Sequence, residues 1–288
     1  MMFEASPSAR SSAVPDAAVI FGCTPAMRDV RTKIDEATDS HLPVLIEGES
    51  GTGKEVVARY IHINSRRFSD YFVRVNCAST PASVLESEIF RSGSGIGDRH
   101  KDGRKTELAE ATTSGTLYLD EINEMNPVLQ RKLVRALEVQ PWADNSEPSI
   151  GPRIVCSSSV NLQVAILQGK VSETLPGKFG YRVNLAPLRD RKQDIPGLCE
   201  HLIEKFARNF SRPAIRLSPT ELVRLQEWDW PGNIRELENW IARIVIFGRE
   251  EMKALDRKKP ATGSEESGRK HRIMRVPLET RSRSRGRR

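Results

Sequence analysis

No apolar run in this 288-residue chain approaches the roughly 18 residues that a helix needs to cross a bilayer. The opening stretch, MMFEASPSARSSAVPDAA, carries Glu4 and lacks a basic start followed by an apolar block. A secretory signal is therefore not expected, and a cytoplasmic location is. Cysteine is scarce: Cys23, Cys77, Cys156 and Cys199 lie far apart, and none forms a CxxC pair. His41, His62, His100, His201 and His271 are equally scattered, so metal-ligand spacing is absent. Ordinary thiols in a reducing compartment are expected. No internal repeat is visible. What remains is 38% hydrophobic and 29% charged residues, the composition of a soluble folded chain long enough to bury a real core.

The formal net charge of +7 is unevenly spread. Residues 257–288 hold 12 Lys and Arg against 3 Asp and Glu, leaving 33 basic and 35 acidic side chains in the other 256 residues. The basic character belongs to the tail, and the body gives no compositional reason to expect a nucleic-acid surface. The tail itself reads as a solvated segment, with nonspecific nucleic-acid contact as the alternative.

Residues 1–17, rich in Ser, Ala and Pro, read as a disordered lead-in. From residue 18 to 188, strands and helices alternate. Pro25 suits the first turn of a helix capped by Thr24 and running to about Ala37. HLPVLIEG has the short apolar run of a buried strand. Then come a helix (EVVARYIHINS), a strand (YFVRVN), a helix (ASVLESEIF), a helix at TELAEA, a buried strand (GTLYLDEI), an amphipathic helix (PVLQRKLVRALEVQ) and a strand (RIVCSSS). The amphipathic helix groups Val128, Leu133, Leu137 and Val139 on one side. Such alternation predicts an α/β unit with a mainly parallel sheet. From residue 189 to 249 only helices are expected, including one opened by the Ser218/Glu221 capping box; residues 250–288 form the basic tail.

Two segments carry chemistry. GESGTGKE, comprising Gly48, Glu49, Ser50, Gly51, Thr52, Gly53, Lys54 and Glu55, follows a predicted strand and opens a helix. That is the setting of a phosphate-binding loop, in which glycines let N–H groups turn toward phosphate oxygens and a lysine reaches the β- and γ-phosphates. The generic pattern has Ser or Thr after the lysine, and here Glu55 stands there. LYLDE places Asp120 and Glu121 at the carboxyl end of a buried strand, where ligands of open α/β sheets bind. Asp120 can hold magnesium and Glu121 can polarise an attacking water.

GESGTGKE, VNCAS, ESEIF, GTLYLDEI, PLRDRKQDI and WPGNIRELEN, in that order and spacing, resemble the AAA+ ATPase domain of bacterial sigma-54-dependent activators, the enhancer-binding proteins. The resemblance covers roughly residues 19–247, and Glu55 is normal within it. It implies a P-loop NTPase fold with a small all-α lid, ATP and Mg2+ as cofactors, and Asp120 as a magnesium ligand. Asn76 matches an asparagine that restrains the catalytic glutamate. Arg182 matches one of two arginine fingers reaching a neighbouring subunit's γ-phosphate, and Arg235 a sensor arginine of the lid. On residue physics alone, both arginines would be solvated surface charges. The implied partners are further copies of the chain in a ring, or a co-assembling related activator, and the sigma-54 RNA polymerase holoenzyme; no membrane partner is implied.

The chain departs from that pattern in several places. Ser172 stands where the first finger belongs, and PGKFG reads as an insertion before Arg182. Ser159 replaces a sensor asparagine. Gly95, Ile96, Gly97, Asp98, Arg99 and His100 replace the GAFTGA loop that engages sigma-54. A terminal helix-turn-helix is not expected. Two functions stay open. One is an ATP-hydrolysing regulator with slow turnover, acting at subunit interfaces on a transcription partner. The other is a nucleotide-binding interaction protein with little or no ATPase activity.

Overall fold

The computed structural model describes residues 3–6, 14–89, 115–139 and 152–248. The GAFTGA-aligned segment 95–100, the TELAEA helix and the basic tail lie outside them. In chain order the elements are β1 (Phe3–Ser6), α1 (Ala17–Phe21), α2 (Pro25–Thr38), β2 (Val44–Glu47), α3 (Lys54–Ile63), β3 (Phe72–Asn76), α4 (Ala82–Ile89) and β4 (Thr116–Asp120). Then follow α5 (Pro127–Val139), β5 (Arg153–Ser158), α6 (Leu162–Leu167), β6 (Tyr181–Asn184), α7 (Ile195–Asn209), α8 (Pro219–Glu227) and α9 (Asn233–Phe247).

The sheet runs β1-β3-β4-β5-β2-β6. β3, β4, β5, β2 and β6 are parallel, and only β1 is antiparallel, pairing Phe3 with Val75 and Ser6 with Phe72. Helices cover both faces, so strand side chains are buried on alternate sides even where the sequence is continuously apolar. Leu45, Val73, Val75, Leu117, Leu119, Ile154 and Cys156 pack against Leu85 of α4 and Leu129, Leu133 and Leu137 of α5. Val44, Ile46, Phe72, Tyr118 and Val155 point the other way, onto Met27, Val30 and Ile34 of α2 and Val57, Ala58 and Ile61 of α3. α7, α8 and α9 close around a third core of Leu198, Leu202, Leu225, Trp230, Leu237 and Ile241. The Trp230 indole N–H donates to the Leu225 carbonyl at 2.8 Å. No described helix is long and apolar enough to cross a membrane.

Two local expectations are corrected and a third is refined. Phe3–Ser6 lies within the stretch read as a disordered lead-in, yet it forms a strand, because the open edge of β3 offers backbone partners that composition does not reveal. Leu133 and Leu137 are buried as expected, but Val128 is exposed, and Leu129 and Val134 complete the buried side of α5; the side chain of Val139 lies outside the described residues. Thr24 occupies the N-cap of α2, but its hydroxyl makes no cap bond. It donates instead to Asp194 Oδ2 at 3.2 Å, while the N–H groups of Cys23 and Thr24 donate to Oδ1. That carboxylate ties the start of α2 to the entrance of the helical subdomain. The capping box on α8 forms as expected, with both reciprocal bonds present.

Candidate functional site

β2 ends at Glu47, and the chain turns through Gly48–Gly53 before α3 begins at Lys54. Gly51 has φ +82°, and a Cβ there would meet the Gly232 carbonyl oxygen at 2.4 Å, so only glycine fits the turn. The loop closes on itself where Thr52 Oγ1 donates to the Glu49 carbonyl at 2.8 Å, and it is tied to β5 where the Gly48 N–H donates to the Ser158 carbonyl. The N–H groups of Gly51, Gly53, Lys54 and Glu55 find no protein acceptor among the described residues. They add to the partial positive charge at the start of α3, a set of donors suited to an anion.

Lys54 is buried, and its Nζ donates to the Gly48 carbonyl at 2.8 Å and the Glu49 carbonyl at 3.2 Å. It lies 3.6 Å from Glu121 Oε1. Burial holds its pKa below the ordinary ammonium value, against the opposing pull of Glu121 and Asp120. Glu121 follows β4 in the left-handed region at φ 59°, ψ 55°, a strained conformation for a side chain of this size. Its N–H donates to Ser157 Oγ, and its Oε2 accepts the Ser159 N–H at 2.8 Å. Thus Ser159 holds the glutamate through its backbone N–H.

Asp120 is engaged on both oxygens. Oδ1 accepts from Ser157 Oγ at 2.5 Å and from the Tyr118 hydroxyl at 3.1 Å; Oδ2 accepts from Arg74 Nη2 at 2.7 Å. Burial raises its pKa, but the Ser157 hydroxyl and the Arg74 guanidinium outweigh that and hold the carboxyl below the usual range.

The helical subdomain grips the loop directly. The Ile234 and Arg235 N–H groups, in the first turn of α9, donate to the Gly51 carbonyl at 2.9 and 3.3 Å. Asn233, fully buried at φ 54°, donates from Nδ2 to Glu49 Oε2 and the Ser50 carbonyl, and accepts the Leu188 N–H. Arg189 forms a bidentate pair with Glu49 at 2.6 and 2.9 Å. This pairing, ahead of the Asn233 bond, lowers the Glu49 pKa. Arg191 donates to the Thr52 carbonyl, and Arg235 Nη1 reaches Ser50 Oγ at 2.9 Å.

The structure thus gathers Gly48–Glu55, Asp120, Glu121 and Arg235. Asn76 and Arg182 are placed differently. Asn76 Oδ1 accepts the Ala78 and Ser79 N–H groups, capping its own turn, and makes no hydrogen bond to Glu121. Arg182 lies on β6 and pairs with Glu47 Oε2 of its own chain at 3.3 Å. Ser172 offers no cation; its N–H donates to Gln130 Oε1. Arg74, Ser157, Arg189 and Asn233 were not singled out from the sequence. Asn233 and Arg189 carried a local signal, as members of the WPGNIRELEN and PLRDRKQDI blocks; Arg74 and Ser157 join the site across long sequence separations.

Comparison with known proteins gives the family and the fold. Residues 20–189 match the Sigma-54 interaction domain, and residues 189–271 match the AAA+ ATPase lid domain. The chain belongs to the sigma-54 interaction domain family and has the AAA+ P-loop NTPase fold with a helical lid. It is 41% identical over 232 residues to the regulatory protein AtoC of Escherichia coli (strain K12), covering 78% of this chain and 49% of that protein. It is 35% identical over 241 residues to the Nif-specific regulatory protein of Herbaspirillum seropedicae, covering 81% and 44%. The chain spans about half the length, or less, of the curated relatives it matches. Crystal structures of NtrX from Brucella abortus in complex with ADP and with ATP superpose with TM-scores of 0.67 and 0.66. Both are 31% identical and cover 80% of this chain, with 52% and 53% of the NtrX chain.

Proposed function

We propose that this chain is an ATP-binding regulator of the sigma-54 activator type that hydrolyses ATP at subunit interfaces to remodel a transcription partner. The observation that carries the nucleotide reading is the set of four N–H groups without acceptors around Gly51–Glu55, with Lys54 inside the same turn. NtrX, with the same fold, is seen with ADP and with ATP. Lys54 would leave the loop carbonyls for the phosphates. Glu121, held by the Ser159 N–H and 3.6 Å from Lys54, would orient a water. Arg235 and Ser50 would meet the nucleotide from the lid side.

Magnesium is implied by the family. Asp120 and Glu55 supply the hard carboxylate oxygens it prefers, and they converge on a single cation, Arg74. The donor set therefore fits the metal, with Asp120 and Glu55 as its holders; when bound it supplies positive charge against the phosphates.

The second reading, a nucleotide-binding interaction protein with little turnover, is favoured by Arg182, whose guanidinium is drawn to Glu47 of its own chain. One pair of measurements separates the two. Fluorescent ADP should bind the wild type and lose at least about tenfold in affinity in Lys54→Ala, where a charge-assisted contact is removed. Steady-state ATP turnover should fall at least about 100-fold in Glu121→Gln. Nucleotide binding with equal background turnover in wild type and Glu121→Gln supports the second reading. Absence of nucleotide binding removes both.

A further inference from the structure

Arg74 sits in the middle of β3, paired in register with Tyr118 of β4. A charged residue at the centre of a mostly buried strand costs desolvation unless its charge is used. Its guanidinium bridges two carboxylates: Nη2 lies 2.7 Å from Asp120 Oδ2, and Nη1 lies 3.1 Å from Glu55 Oε2. The remaining oxygens are also taken. Glu55 Oε1 accepts from Arg59 at 3.0 and 2.9 Å, and Asp120 Oδ1 accepts from Ser157 and Tyr118. The Arg74 Nε, by contrast, is buried without a hydrogen-bond partner. The side chain is therefore placed for its two terminal nitrogens and the acids they meet, at the cost of its own third donor.

These two acids are the ones that fit a divalent cation. We propose that Arg74 is a resident counter-ion that competes with the divalent cation for Asp120 and Glu55, and that metal binding displaces its guanidinium from them. The inference rests on the nucleotide-site reading for its setting, but its geometry stands apart from any nucleotide. A divalent ion arriving at this pair meets oxygens already donated to, and a full positive charge within hydrogen-bond distance of both carboxylates. The same charge has the opposite effect on a nucleotide without metal. With Arg74 present, the acids beside the phosphate loop are neutralised; without it, they repel the phosphates. One residue should thus shift metal affinity and metal-free nucleotide affinity in opposite directions, which a purely structural role would not do.

The test uses the whole chain and Mn2+ alone, with free Mn2+ followed by electron paramagnetic resonance at low ionic strength. Arg74→Gln should bind Mn2+ about tenfold more tightly than wild type, a modest fraction of the effect of a unit charge at this range. In EDTA, fluorescent ADP should bind Arg74→Gln more weakly than wild type. Unchanged or weaker Mn2+ binding by folded Arg74→Gln overturns the proposal. If that variant fails to fold, Arg74→Lys decides, since lysine keeps the charge but has a single ammonium in place of the fork that spans both acids. A tightening of about threefold is then expected, and none overturns the idea. Failure of wild type to bind fluorescent ADP would remove the nucleotide reading and leave the Mn2+ comparison standing.

Discussion

Among the described histidines, His62 is the one whose environment departs furthest from water. It is buried against Phe72, with Nδ1 2.9 Å from Thr116 Oγ1. Burial first, and the Arg153 charge second, lower its pKa from 6.5 to about 4. Between these values the unfolded chain binds a proton that the folded chain refuses, so the stabilising difference is full above pH 6.5 and is lost as the pH falls toward 4. The loss amounts to roughly 3 kcal/mol at its limit. His41 and His201, lowered for the same main reason, act in the same direction. Asp120, whose pKa is held below 3.8, adds its own loss only under more acidic conditions. Urea denaturation at pH 7.5 and pH 5 should show the drop, and His62→Gln should flatten it. An equal drop in both proteins would assign the effect elsewhere.

At the level of elements, the contact between the phosphate loop and the start of α9 is the joint on which the site depends. The Gly51 carbonyl accepts two α9 N–H groups, and Asn233, Arg189 and Arg191 hold Glu49, Ser50 and Thr52. Gly51→Ala would place a methyl group 2.4 Å from the Gly232 oxygen at a positive φ. A loss of roughly 2–3 kcal/mol is expected from backbone strain and the forced separation, read as a lower midpoint in thermal unfolding. Wild-type stability in Gly51→Ala would show that loop and lid do not need this contact. The loop, β4 with its two acids, and the three lid helices were legible in the sequence because each is written in local pattern: a glycine turn between strand and helix, an apolar run ending in acids, helical periodicity with a capping box. Phe3–Ser6, the Glu49 clasp and the Arg74 bridge were not. Each depends on which distant segment the fold brings alongside, and FEAS or FVRVN carries no mark of its partner. Arg182 shows the converse: its resemblance to a finger was legible, while its pairing with Glu47 was not.

For the whole molecule, the open question is whether one copy is enough. Within a single chain the described cations around the nucleotide site include Lys54, Arg59, Arg74, Arg189, Arg191 and Arg235, and all six are bonded to loop carbonyls, acids or Ser50. Lys54 would leave its carbonyls to bind the ground-state phosphates, and charge developing on a transferred phosphoryl group calls for a further cation free to move toward it. Arg182 is more exposed than its Glu47 partner, at 36% against 7%, so its ion pair is only partly shielded from solvent and weak enough to exchange. Under the ring reading, a second copy supplies the missing cation, and specific ATP turnover must rise with protein concentration before reaching a plateau. Arg182→Ala would lower the plateau without weakening fluorescent ADP binding, since the arginine acts on the neighbour's site. Turnover proportional to protein at all concentrations, with Arg182→Ala indistinguishable from wild type, would place catalysis within one chain and leave Arg182 as the counter-ion of Glu47.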